Sequence, residues 1–272
     1  MATRADDGRR PGPDGGPGRG DVVSLGEGAR LLAFATGFLT RLPVPRTEVR
    51  DGDLRRASAL FPFVGLLVAA VGVAAWAAVE PFWGAVVATV VAVGVEVAVT
   101  GAFHEDGLAD VFDGVWGGWT PQRRIEIMRD SRLGTYGTAA LVGALSLRVA
   151  MLVPLDLAWF ARATVLGHVV GRASIPVMVR LLPAASDQGH GARVSEPLGW
   201  LGTSVAALTT AGTLVVCLGT LAWVPLVAAA LPVAATRRLY RRRLDGLTGD
   251  CLGATVALVQ LAVIAAVTLV AS

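Results

Sequence analysis

The sequence has no lysine, only two cysteines and few charged residues for its length of 272. Charged side chains make up 17% of the chain, whereas a soluble domain normally carries about a quarter. The hydrophobic fraction is 54% and the mean hydropathy is +0.60, so the composition predicts a polytopic membrane protein. Cys217 lies in an apolar run and Cys251 near a polar loop, a placement that gives neither a disulfide framework nor a zinc pattern.

Because lysine is absent, arginine supplies the positive charge of the chain, and this choice reflects genome composition more than chemistry. The arginines cluster in a few loops, as they do in cytoplasmic loops of membrane proteins, and therefore require no nucleic-acid partner. Residues 1–24 are rich in Gly, Pro, Arg and Asp and lack an apolar stretch. We predict a disordered cytoplasmic tail over 1–24 and a single membrane-embedded domain over 25–272.

The apolar runs predict an all-α, polytopic helical bundle with about seven transmembrane helices. A short N-terminal helix over 31–44 is too short to cross and is expected to be interfacial or re-entrant. The predicted crossings are 57–79, 82–103, 133–155, 159–182, two within 198–236, and 251–272, with the first tight turn at Glu80–Pro81. The polar loops at 104–132, 183–197 and 237–250 then lie on one side, which their arginines predict to be cytoplasmic.

An acidic stretch follows the second crossing, with four carboxylates and a histidine between His104 and Gly114. In a helix, Asp106, Asp110 and Asp113 fall within roughly 60° of one another around the axis. Three like charges on one face repel, and oxygen ligands of this kind suit Mg²⁺ or Mn²⁺. The alternative is a solvated, acidic helix end, and spacing alone does not decide between them.

Two further segments on the same side suit a phosphate group. Acidic residues followed by arginine and small residues suit a metal-bridged phosphate, and we expect function at Arg129, Asp130, Ser131 and Arg132. Arg123 and Arg124 are better explained as topology signals at the lipid headgroups. In the third polar loop, Thr248, Gly249 and Asp250 enter the last crossing, where backbone amides bind anions and Asp250 either ligates metal or caps the helix.

Ionisable residues also occur inside the predicted crossings, where placing a charge costs free energy and such side chains usually face a polar interior. Arg148 and Arg172 are candidates for substrate contacts, and His168 shares a helix face with Arg172. A buried structural pair, for instance Glu96 with Arg148, is an equally good interpretation.

Four ordered motifs resemble the cobalamin synthase family, also called adenosylcobinamide-GDP ribazoletransferases. The similarity covers about 31–272 and is carried by segments 38–45 with 61–65, 103–114, 126–135 and 247–254. The resemblance implies a bacterial inner-membrane, Mg²⁺-dependent enzyme that joins adenosylcobinamide-GDP to α-ribazole or α-ribazole 5′-phosphate and releases GMP. It also implies a possible association with other cobalamin-assembly enzymes.

On this interpretation, Asp106, Asp110 and Asp113 hold Mg²⁺ on the diphosphate, and Arg129 and Arg132 stabilise charge on the leaving GMP. The remaining candidates are His104 or a carboxylate as the base, Asp130 in catalysis, and Ser131, Arg148, Arg172, Thr248, Gly249 and Asp250 in substrate binding.

Two other functions are compatible with parts of the pattern. The Asp-x-x-Asp-Gly element at 110–114 fits a CDP-alcohol phosphotransferase, but the other residues that such enzymes require at fixed spacing do not follow. A cation transporter would place its acidic groups near the bilayer midplane, whereas here they lie at one boundary with arginines beside them.

Overall fold

The computed structural model describes residues 25–185 and 196–272 of the chain. The predicted tail over 1–24 and most of the predicted loop over 183–197 lie outside the described residues. The described part is helical, apart from connecting segments and one isolated bridge between Ala184 and Leu247. Its α-helices are α1 Leu25–Leu39, α2 Asp53–Ala57, α3 Phe61–Thr100, α4 Phe103–Gly117, α5 Pro121–Met128, α6 Thr135–Leu152, α7 Leu157–Leu181, α8 Trp200–Leu218, α9 Val224–Arg243 and α10 Gly249–Ala271.

Helix α3 is a hairpin of two arms that meet at Gly84. Gly84 has φ 73° and ψ 171°, a backbone conformation that glycine adopts readily because it has no Cβ. The arms then run side by side, since the Trp76 indole donates to the Thr89 hydroxyl at 3.2 Å and Gly72 lies against Glu96. The turn predicted at Glu80–Pro81 is therefore wrong by a few residues, because both residues stay within the first helical arm.

Among the described residues, four stretches are long and apolar enough to cross a membrane, which confirms the all-α membrane bundle. They are Asp53–Thr100, Thr135–Leu152, Trp200–Leu221 and Gly249–Ala271. The first contains both arms of α3, while α7 and α9 coincide with the other predicted crossings and carry several arginines. The count of seven crossings stays a prediction.

The N-terminal helix lies earlier in the chain than expected. α1 begins at Leu25 and ends at Leu39 instead of spanning 31–44, because the segment with Pro43 and Pro45 continues without regular structure. Its buried residues Leu31 and Leu39 join the hydrophobic core. Arg30 donates to the buried carboxylate of Asp53 at 2.6 and 2.7 Å, so an ion pair fastens α1 to α2.

Helix α10 lies at the centre of the bundle and packs against α4, α6, α7 and α9. Small residues allow the close approach: an added Cβ on Gly171 of α7 would lie 3.1 Å from the Val256 carbonyl oxygen. The beginning of α10 therefore has a fixed position beside α4, and this position creates the site described below.

Candidate active site

The acidic stretch lies on a helix of its own, α4, next to the bundle. Gly101 and Ala102 have φ values of 64° and 58°, which end α3 and change the chain direction before Phe103. The predicted polar loop over 104–132 thus contains two helices, α4 and α5. The Arg41 side chain lies against Gly101 so closely that an added Cβ would be 2.5 Å from its Nε.

We define the acidic face as Asp106, Asp110 and Asp113 of α4 together with Asp250 of α10. Asp106 is exposed, Asp110 is partly exposed and Asp113 is 9% exposed. Burial, together with the neighbouring carboxylates of Asp106, Asp250 and Asp113, raises the pKa of Asp110 to about 7. The acidic face therefore carries negative charge that neighbouring cations leave largely uncompensated.

The crossing of α4 and α10 brings Asp250 to this face. An added Cβ on Gly107 would lie 2.8 Å from the Asp250 carbonyl oxygen, and one on Gly253 would lie 3.5 Å from the His104 Cα. A larger residue at 107 would therefore push the two backbones apart, whereas a Cβ at 253 would make ordinary van der Waals contact. This contact explains glycine at 107, which follows directly after the first aspartate of the face.

Asp113 has a structural task that its position in the sequence does not reveal. Its carboxylate accepts hydrogen bonds from the backbone N–H groups of Gly134 at 2.7 Å and Gly137 at 2.9 Å. These amides lie at the start of α6, and the N-cap residue of this helix, Gly134, has no side chain that could accept a hydrogen bond from them. Asp113 therefore caps α6 from another helix, and its predicted metal role stays a prediction.

The turn after α5 presents the predicted phosphate-binding residues to solvent. Arg132 donates to Asp130 at 2.5 Å, and this hydrogen bond lowers the pKa of Asp130 to about 2. Ser131 is exposed, and Arg129 lies within electrostatic reach of Asp250. The turn thus adjoins the acidic face, as the sequence predicted.

The interpretation of Arg124 as a headgroup signal is wrong. Arg124 is 5% exposed and donates to the Arg243 carbonyl oxygen at 3.0 Å, so it joins α5 to the end of α9. Arg123 is exposed and pairs with Glu126 at 2.9 Å. The only sequence signal for the buried arginine was its position on the same helix face as Met128, which is also buried.

The third polar loop is shorter than predicted, since α9 continues to Arg243. Thr248 is the N-cap of α10, and its hydroxyl accepts from the Cys251 N–H at 3.2 Å. Asp250 consequently does not cap this helix, and its side chain remains part of the acidic face. Gly249 begins the helix, and Leu247 exchanges backbone hydrogen bonds with residues 183 and 185.

The ionisable residues inside the bundle form a buried polar cluster, which we define as Glu96, Arg148, His168, Arg172 and Gln260. Arg148 donates to the Glu96 carboxylate and lies 3.1 Å from the His168 Nε2. Arg172, which is fully buried, lies 2.8 Å from the His168 Nδ1, and Gln260 lies 3.3 Å from His168 Nε2. The structural pair of Glu96 and Arg148 is present, and substrate contacts by Arg148 and Arg172 stay predictions.

His104 belongs to the inner side of α4 and not to the acidic face. It is 3% exposed, and its Nε2 has no hydrogen-bond partner among the described residues. Burial lowers its pKa well below the usual value, and the charges of Arg172, His168 and Arg148 act in the same direction. His104 is therefore a neutral, enclosed imidazole.

Within residues 25–185 and 196–272, no group of three or more His, Cys, Asp or Glu side chains is arranged so that it could hold a metal ion. The chemistry of the acidic face nevertheless fits a hard divalent cation, because its donors are carboxylate oxygens with excess negative charge.

Comparison with known proteins identifies similar sequences over most of the chain. The sequence profile described as cobalamin-5-phosphate synthase matches residues 31–268. Proteins named adenosylcobinamide-GDP ribazoletransferase are similar: one from Bradyrhizobium diazoefficiens is 38% identical over 82% of this chain and 87% of its own length. Others from Leptothrix cholodnii and Vibrio cholerae are 38% and 33% identical, over 89% and 85% of this chain and 96% and 90% of their own lengths. No solved structure matches.

Proposed function

The chain belongs to the cobalamin-5-phosphate synthase family, and from this premise we propose that it joins adenosylcobinamide-GDP to α-ribazole or its 5′-phosphate and releases GMP. The observation that carries the proposal is the acidic face, which lies next to the exposed arginine turn at 129–132. A metal-bridged diphosphate needs both negative oxygen ligands and arginine donors. It is a membrane protein, and its catalytic domain comprises residues 25–272.

Asp106, Asp110 and Asp250 are the residues best placed to hold Mg²⁺. Mg²⁺ commonly takes one or two carboxylates and completes its shell with water and substrate phosphate oxygens, so a complete protein cage is not needed. When bound, the ion would neutralise phosphate oxygens and polarise the phosphorus. Asp113 already accepts a backbone hydrogen bond on each oxygen, which makes it a weaker candidate than the other three.

The arginines have separate tasks in this proposal. Arg129 lies near Asp250, and its exposed guanidinium would bind the phosphate oxygens of the leaving GMP. Arg132 is 87% exposed on its side chain, and its pairing with Asp130 holds the turn in shape. Arg132 would release Asp130 and bind the phosphate in its place. Ser131 would donate a hydrogen bond from its hydroxyl group.

The transfer step requires a base for the acceptor hydroxyl. The hydroxyl oxygen attacks the cobinamide-side phosphorus, the bond from that phosphorus to the GMP oxygen breaks, and the hydroxyl proton moves to the base. His104 is enclosed on the inner side of α4, so a carboxylate of the acidic face is the better acceptor. Positioning and electrostatic stabilisation supply most of the rate.

The cation-transporter alternative receives less support. The four aspartates lie on α4 and at the first turn of α10, not in the middle of an apolar stretch. Of the charged residues that lie deeper, Glu96 and Arg148 are paired with each other, and Arg172 lies beside His168. A cytoplasmic orientation of the polar loops and an association with other cobalamin-assembly enzymes stay predictions.

The proposal is tested with purified protein in nanodiscs, incubated with adenosylcobinamide-GDP, α-ribazole and Mg²⁺. We expect GMP release that EDTA abolishes and that Asp106→Ala or Asp110→Ala also abolishes, while Glu126→Gln, an exposed carboxylate on α5, retains it. Absence of GMP above the metal-free control would contradict the proposed function. Mg²⁺-dependent turnover in both aspartate variants would contradict the assignment of the site.

A further inference from the structure

Glu105 follows His104 on the inner side of α4 and is turned about 100° around the helix axis from Asp106. Its Oε1 lies 3.9 Å from the Nη1 of Arg148, and its charge acts on Arg172. Its other oxygen, Oε2, is buried and has no hydrogen-bond partner among the described residues. Glu105 thus faces the buried polar cluster, although it is adjacent in sequence to the acidic face.

A small cavity lies against this carboxylate, between α4, α6 and α10. Its polar lining consists of Glu105, Arg148 and Gln260, apolar side chains such as Leu145 and Leu261 form the rest of the lining, and the cavity is partly open to the surface. The cavity has room for about one water molecule, and its three polar groups provide the partners that a buried water needs. The Nε of Arg148 is also buried without a partner, so a water there can satisfy both it and Glu105.

The three helices around the cavity are also those that build the acidic face. α4 carries three of its aspartates, α10 begins with Asp250, and the start of α6 is held by Asp113. On the outer side, repulsion between the carboxylates of α4 and Asp250 favours rotation of α4 away from α10. On the inner side, the attraction of Glu105 to Arg148 opposes that rotation.

We propose that Glu105 is a positioning residue, which acts through Arg148 and a water molecule in this cavity to hold Asp106 and Asp110 beside Asp250. The inference deepens the proposed function, because it assigns to Glu105 the alignment of the carboxylates that would bind the metal. Its geometric part is independent of the reaction, since it concerns only the orientation of α4.

Four variants test the proposal: Glu105→Ala, Glu105→Gln, Leu145→Phe and the control Glu126→Ala. Hydrogen–deuterium exchange of purified protein in nanodiscs reports on α4 directly. Ribazole transfer at varied Mg²⁺ gives the metal concentration for half-maximal rate, and thermal unfolding reports global stability.

For Glu105→Ala we expect faster exchange in 103–117, no change in α7, and about a tenfold higher Mg²⁺ requirement. The rate at saturating Mg²⁺ should stay within about threefold, because the ligands themselves remain. Glu105→Gln keeps an acceptor oxygen for the water but loses the charge that attracts Arg148, so its effects should be in the same direction as those of Glu105→Ala and smaller. Leu145→Phe, which fills the cavity but keeps Glu105, should resemble Glu105→Ala, while Glu126→Ala should change nothing.

Wild-type exchange in α4 and an unchanged Mg²⁺ requirement in Glu105→Ala would overturn the proposal. Faster exchange in every helix together with an unchanged Mg²⁺ requirement would also overturn it, because Glu105 would then serve packing alone. If Glu105→Ala does not fold, a Leu145→Phe protein with wild-type behaviour contradicts the bridging water. If the wild type shows no transfer at all, the proposed function fails, while the exchange measurements still decide the role of Glu105.

Discussion

The acidic face and the buried polar cluster each contain several ionisable side chains, but only the cluster pairs its carboxylate with cations. Glu96 lies beside Arg148 and His168 at about 1% exposure, so its charge is compensated inside the protein. Asp110, in contrast, has mainly carboxylates around it. The difference indicates that the cluster compensates the charge of its carboxylate within the protein, whereas the acidic face depends on a positively charged ligand from outside.

The strongest test of this contrast is removal of a carboxylate from the acidic face. Asp110→Ala should reduce ribazole transfer on the order of a thousandfold, because a group that stabilises the reacting charge is lost. The free energy of unfolding of the metal-free protein should not decrease, since one of four like charges disappears. GMP release and thermal unfolding with EDTA measure the two effects. A clear loss of stability without loss of activity would reverse the roles of the two regions.

Removal of the buried carboxylate should, in contrast, mainly lower stability. Glu96→Ala leaves Arg148 in the bundle with only the more distant Glu105 carboxylate and should lower the free energy of unfolding by about 3–5 kcal/mol. The double variant Glu96→Ala with Arg148→Met should recover part of that loss, because it removes the unpaired charge as well. Thermal unfolding in detergent distinguishes them. Equal stability of the single variant and the wild type would contradict a structural ion pair.

Asp113 shares properties of both regions, because it belongs to the acidic face but its carboxylate accepts hydrogen bonds from backbone N–H groups. Asp113→Ala should lower stability by about 1–2 kcal/mol through loss of the cap on α6, and it should also reduce transfer. Asp156, which caps α7 by accepting from the Trp159 N–H at 2.8 Å, provides the matched control. Asp156→Ala should lower stability similarly and leave transfer nearly unchanged. Full activity in Asp113→Ala would remove Asp113 from the site.

A final test is the dependence of stability on pH in the metal-free protein. The pKa of Asp110 is about 7 in the folded chain and about 3.9 when unfolded, so the folded state binds the extra proton between these values. Stability should therefore fall as pH rises from about 4 to 7 and then level off. Asp110→Asn should remove this contribution, and unfolding at several pH values with EDTA measures it. A slope that persists unchanged in Asp110→Asn would assign it to another group.

Local patterns in the sequence predicted much of the fold and of the acidic face. The helical spacing of Asp106, Asp110 and Asp113 requires only the period of an α-helix, and the apolar runs coincide with helical arms of the bundle. The hairpin turn was misplaced because proline at 81 is a stronger sequence signal than Gly84, although the positive φ requires the glycine.

Long-range contacts account for what the sequence could not reveal. Arg124 finds its acceptor 119 residues away, and Arg148 finds Glu96 at a separation of 52. The position of Arg124 on the same helix face as Met128 indicates burial, but it does not identify the distant carbonyl group to which Arg124 donates. The exclusion of His104 from the acidic face likewise depends on the packing of α4 against its neighbours, which places the imidazole inside.

The hydrogen bond from Gly134 to Asp113 also closes a chain segment of 21 residues that contains α5 and the arginine turn. Because the cost of closing a loop grows only with the logarithm of its length, a doubling of this segment would cost about 0.6 kcal/mol. The segment can therefore accept inserted residues near Trp119, which is 93% exposed, while both of its ends stay anchored. The same closure would let a reporter group be introduced there without displacing the helix that follows.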